Sequence, residues 1–167
     1  RPDSFLLFGP FLFWLAVVTM LIVLVLIDFE HFIIPDKILL ALGLLTLIYQ
    51  WFNTEGFLSI FKNFFVGVVA GLIFLLIYAI TSSYYQEGGI GLGDVKLIAL
   101  LGFVFGFPSI LPIVYLALGG GLIWGLGLIV FFKGKLTSKL PFGSLLAGSA
   151  IFFILFNKFF WPFLAPY

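Results

Sequence analysis

The chain contains no cysteine. That absence excludes disulfides, a thiol nucleophile and a zinc–thiolate centre, and it leaves the redox compartment open. Charge is nearly as scarce: 9% of the 167 residues are charged, against about 25% in ordinary soluble domains. The net charge of +1 gives a polyanion nothing to bind, so no nucleic acid is expected as a partner. Internal repeats, low-complexity linkers and a second compositional region are also missing. One domain over residues 1–167 is expected.

What fills the chain instead is apolar. Hydrophobic residues make up 63% of it and the mean hydropathy is +1.31. A soluble protein of this size has too little interior to hide so much apolar surface. The apolar runs are long and unbroken, unlike the alternating strands of an outer-membrane barrel. The expected fold class is therefore all-α, a polytopic helical membrane protein.

About 20 residues of helix cross the roughly 30 Å hydrocarbon layer. The first candidate span runs from Phe5 to Ile27 and ends at Asp28, with Pro10 in its first turns, where proline is best tolerated. A second runs from Ile38 to Phe52; a third, after Lys62, from Phe64 to Ile80. From Leu97 to Phe132 no residue is charged. As one helix those 36 residues would measure about 54 Å, too long for a bilayer. "GFPSILP", with Pro108 and Pro112, is the natural break, making the first of the two helices unusually short. The last run goes from Ser144 to Phe156, after a basic loop, and the total is about six transmembrane helices.

Crossings fix sides. Asp28 and Asp94 are two spans apart and so share a membrane face, to which the basic loop also returns. That face carries Lys37, Lys96, Lys133, Lys135 and Lys139, whereas the other carries Arg1, Lys62 and Lys158. The excess of cations makes the aspartate face cytoplasmic.

The carboxylates differ in setting. Asp28 abuts the apolar run "VTMLIVLVLI", at a depth where an ionisable group is costly and marks a functional candidate. The plainer alternative is an interfacial residue that ends the helix. Asp36 follows Pro35 and opens the second span, where capping of free backbone N–H groups is its expected role. Asp94 ends "GGIGLGD", in which glycines such as Gly91 and Gly93 permit positive φ and close approach of backbone. Its alternative is a helix N-cap. A phosphate-binding loop is excluded, since "GIGLGD" has no lysine–serine pair and follows no strand.

Two aspartates on one face can act as a dyad. Metal-free peptide hydrolysis needs one carboxylate to deprotonate water and a protonated one to polarise the carbonyl. Two close carboxyls share a proton because both cannot readily ionise. The apparent pKa values then belong to the pair.

At this point the residues resemble a family. "GLGDVK" is similar to the GxGD motif of membrane-embedded aspartyl proteases. "LIDFEHFIIPDKI" resembles the first-aspartate motif of the type IV prepilin peptidases, and "LPFGSLLAG" the segment before their last helix. Order and spacing match over nearly the whole chain. The resemblance implies an aspartic endopeptidase of the inner membrane that cuts leaders from prepilins and pseudopilins at the cytoplasmic face. Its partners would be those substrates, with their hydrophobic N-terminal helix, and the lipid bilayer; no cofactor or metal is implied.

Carried over residue by residue, the catalytic pair is Asp28 and Asp94. Gly91, Gly93, Lys96 and Asp36 support the loop, with Lys96 holding it, tuning Asp94 or anchoring the cytoplasmic end. His31 is expected to be an interfacial loop residue. The glycine-rich stretch is expected to be a mobile loop that delivers Asp94 to its partner, with hinge freedom that could hold the carboxyls apart in a substrate-free form.

Two departures stand out. Many bacterial members carry a four-cysteine zinc segment before the first span and also methylate the new pilin N-terminus. Without cysteine, this chain is expected to be the protease core of a longer enzyme, or else a short member like the archaeal preflagellin peptidases; methylation by it alone is not expected. Ser144 stands where the family often has proline, with a small structural effect expected. A rival reading is a small transporter or channel subunit, in which glycine-rich "LGGGLIWGLG" packs helices and the two aspartates serve an ion or proton path separately. A purely structural partner in a secretion machine would need neither aspartate.

Overall fold

A computed structural model describes residues 3–53, 57–84, 91–132 and 141–164. Six α-helices, and no strands, occupy the described residues: α1 (Asp3–His31), α2 (Asp36–Asn53), α3 (Phe57–Tyr84), α4 (Leu92–Phe105), α5 (Ile110–Phe132) and α6 (Phe142–Leu164). Among the described residues, three stretches are long and apolar enough to cross a membrane: Gly9–His31, Phe57–Ser83 and Ile110–Gly127. Phe142–Phe156 is a shorter apolar helix. Large apolar side chains such as Leu26, Leu40, Phe52, Leu76 and Ile123 point outward. In water that surface would be untenable; in lipid it costs nothing. The protein is a polytopic helical membrane protein.

Helix α4 is the pivot of the bundle. It packs against α2, α3, α5 and α6, while α1 lies on α6 and α2. Its residues Leu97, Ile98 and Leu101 are fully buried among Val17, Leu21, Leu42, Ile113 and Leu146. Small residues bring α3 and α4 together. A Cβ added at Gly102 would lie 2.8 Å from the Gly67 Cα, and one at Gly71 would lie 2.9 Å from the Ala99 Cβ. Such small-residue contacts let backbones approach where no hydrophobic force between helices helps. At its far end α4 is tied to α2 by Gln50, whose Nε2 donates to the Phe103 carbonyl at 2.9 Å.

The helix boundaries differ from those read off the hydropathy. α1 continues three residues past Asp28, so that carboxylate lies inside its last turn rather than ending it. It stops at Phe32, which has φ 53°, and Pro35 follows. α3 runs straight through Lys62 from Phe57, because one exposed lysine does not interrupt backbone hydrogen bonding. α4 begins at Leu92, five residues before its apolar run. The break before α5 falls where Pro108 predicts it, and Gly106 closes α4 with φ 66°. A Cβ at Gly106 would run into the Asn63 side-chain amide, so both conformation and space demand glycine there. The basic loop Lys133–Lys139 lies outside the described residues.

Candidate active site

Asp28 and Asp94 come together. Asp28 is 5% exposed in the last turn of α1, and Asp94 is 7% exposed in the first turn of α4. The first turn of α6 completes the site. A Cβ added at Gly143 would stand 2.8 Å from Asp94 Oδ1, 3.0 Å from Asp28 Oδ2 and 2.6 Å from Ile34 Cδ1. The two carboxylate oxygens are therefore at most 5.8 Å apart, the sum of the first two distances. Both carboxylates converge on the space that a side chain at position 143 would otherwise fill. In this arrangement the two carboxylates already lie within that distance of each other. Of the glycine-rich stretch, residues 85–90 lie outside the described residues.

Among the described residues, each carboxylate accepts from one backbone donor. Asp94 Oδ2 accepts the Gly91 N–H at 2.9 Å, reaching back to the residue before the helix as an acid in a first turn does. So Asp94 is not the N-cap; Gly91 occupies that place and has extended backbone, φ −78° and ψ 154°. Positive φ is thus not what its glycine provides. Gly93 is helical and works by size: a Cβ there would come within 3.1 Å of the Ile34 Cβ, so its absence seats the start of α4 on Ile34. On the other side, Asp28 Oδ2 accepts the Ser144 N–H at 2.5 Å.

Lys96 turns away from Asp94. Its Nζ is 2.7 Å from Asp36 Oδ1, linking the first turns of α4 and α2. Both side chains are more than half exposed, so the pair contributes at most about 1 kcal/mol. Asp36 sits in the first turn of α2, with Pro35 accepting the opening N–H groups of Ile38 and Leu39. An apolar groove of about 680 Å³ runs beside this pair, lined by α2, α3 and α4 residues including Leu40, Leu44, Phe64 and Phe103. It follows the face of α4 opposite Asp94. His31 is exposed, 3.9 Å from Glu30, as an interfacial residue would be.

Gly143 and Ser144 were not singled out as site residues by their chemistry. The signal that pointed near them was the segment "LPFGSLLAG". Ser144 donates its N–H to Asp28, a contact that proline at this position would lack.

Comparison with known proteins then decides the family: residues 15–126 match the model of the type IV leader peptidase family. The chain belongs to that family. Among its relatives, the prepilin leader peptidase/N-methyltransferase of Pectobacterium carotovorum subsp. carotovorum is 31% identical over 147 residues, covering 87% of this chain and 51% of the relative. The protein of the same name from Aeromonas salmonicida is 31% identical over 131 residues, covering 76% and 43%. The one from Bacillus subtilis is 27% identical over 149 residues, covering 84% and 54%. This leader peptidase family chain thus spans about half the length of those relatives. No solved structure matches it.

Proposed function

We propose that this chain is a membrane aspartyl endopeptidase that removes leader peptides from type IV prepilins and pseudopilins. Asp28 and Asp94 are the catalytic pair. The observation that carries the reading is their convergence, nearly buried, on the space above Gly143. A transport path would use two separated carboxylates; a shared position within 5.8 Å favours a dyad.

In that role the pair holds one proton between them, because two carboxylates this close do not readily both ionise. The ionised member takes a proton from water as the water oxygen bonds to the scissile carbonyl carbon. The protonated member donates to the carbonyl oxygen, giving a neutral tetrahedral diol. Its collapse breaks the C–N bond, and a proton passes to the departing amine. The net consumption is one water per bond. The pair faces the cytoplasm of the inner membrane, on the side where five of the eight basic residues fall.

The test is prepilin cleavage in membranes by the unmutated chain beside Asp28→Asn, Asp94→Asn and Asp36→Asn. Each of the first two is expected to lose at least about 10³-fold, as members of one catalytic unit do. Asp36→Asn removes only an exposed ion pair and should keep most of the rate. Cleavage persisting in both Asp28 and Asp94 variants sinks the mechanism.

A further inference from the structure

The opening N–H groups of a helix have no acceptor within it. In α6 one of them is committed to the site, where Ser144 donates to Asp28 Oδ2. The side chain of the same residue is engaged elsewhere, its hydroxyl donating to the Pro141 carbonyl at 2.7 Å. Backbone and side chain of Ser144 therefore serve different partners, and both are buried. Such a donor offsets a local handicap of Asp28. It lies in the last turn of α1, where the negative end of the helix opposes a carboxylate. The torsion that swings a carboxylate about its own axis is also broad, so packing alone sets it poorly. Holding Oδ2 at Ser144 keeps that oxygen on the side from which Asp94 Oδ1 approaches.

We propose that Ser144 is a positioning residue for Asp28, acting through its backbone N–H and not through its hydroxyl. This rests on the reading of Asp28 and Asp94 as a hydrolytic pair. Every residue except proline offers the same donor. Proline fits the first turn of a helix, and the preceding Gly143 has no Cβ to clash with its ring. Ser144→Pro thus deletes the contact while leaving α6 able to form, and Ser144→Ala keeps the contact while deleting the hydroxyl. A chain that carries proline here must hold its carboxylate by other means.

Two measurements on the full chain in lipid vesicles test this. In steady-state prepilin cleavage, Ser144→Ala should keep kcat and KM within about twofold. Ser144→Pro should lower kcat about tenfold with KM unchanged, the loss expected for one hydrogen bond to a charged group acting on chemistry rather than on binding. The second measurement is amide hydrogen exchange at Ser144, which needs neither proline nor catalysis. Protection should survive Asp28→Asn, whose side-chain oxygen still accepts, and vanish in Asp28→Ala. The proposal is overturned by Ser144→Pro with the unmutated kcat, by Ser144→Ala falling as far as Ser144→Pro, or by exchange that ignores Asp28→Ala. An Asp28→Ala variant that still cleaves overturns the hydrolytic reading itself, whatever the exchange shows.

Discussion

Gly143 carries no functional group, and its contribution lies in the volume it leaves empty. A single methyl there would stand within 3.0 Å of both carboxylates and closer still to Ile34. The flexible end of Ile34 can yield, but the two acids are held by Gly91 and Ser144 and can only be pushed apart. Gly143→Ala is therefore expected to lower kcat/KM about 100-fold, since displacement of roughly 1 Å in a catalytic constellation costs that much. The melting temperature should move little. Parallel assays of cleavage and thermal unfolding separate the two effects, and an unchanged rate would show that the site tolerates the wider spacing. The two aspartates stood out as candidates in the sequence, Asp28 beside an apolar run and Asp94 after a glycine-rich stretch, and the motif resemblance paired them. Gly143 and the Ser144 N–H did not, because their parts depend on which helix end the fold brings alongside.

Among the elements, α4 is the one most tightly specified. Glycines at 67 and 102 set its approach to α3, and backbone atoms stand in the way of any larger residue. Gly102→Ala should destabilise by about 1–3 kcal/mol through overpacking. Gly148→Ala, where nothing lies within 4 Å, should cost nothing and can gain from helix propensity. Thermal unfolding in detergent compares them directly, and equal melting temperatures would contradict the packing. The existence of the helices was readable from apolar runs, and the α4–α5 break from its prolines. Their ends were not. Gly91 and Asp94 start α4 upstream of its apolar stretch through a capping contact, and α3 ignores Lys62 because a long side chain reaches past the helix surface.

For the whole molecule, the sidedness proposed from charge is open to a direct check. The chain has no cysteine, so a single introduced one reports its own location. Lys37 and Lys62 fall on opposite faces in the proposed topology. A membrane-impermeant thiol reagent applied to spheroplasts should label Lys62→Cys and spare Lys37→Cys, with the pattern reversed in inverted vesicles. Labelling of both from one side would refute the arrangement and with it the cytoplasmic active site.

The length of α4 carries one more implication. Fourteen residues of helix measure roughly 21 Å, about 9 Å short of the hydrocarbon layer. Asp94 stands in the first turn of that short rod. Its neighbours α2, α3, α5 and α6 are all longer, so a helix that stops short of the hydrocarbon edge would bring the aqueous boundary below the plane of the surrounding lipid. Hydrolysis uses up a molecule that oil excludes. For the hydrolytic pair proposed above, a truncated helix at the centre of the bundle would let the reagent come down to the acids.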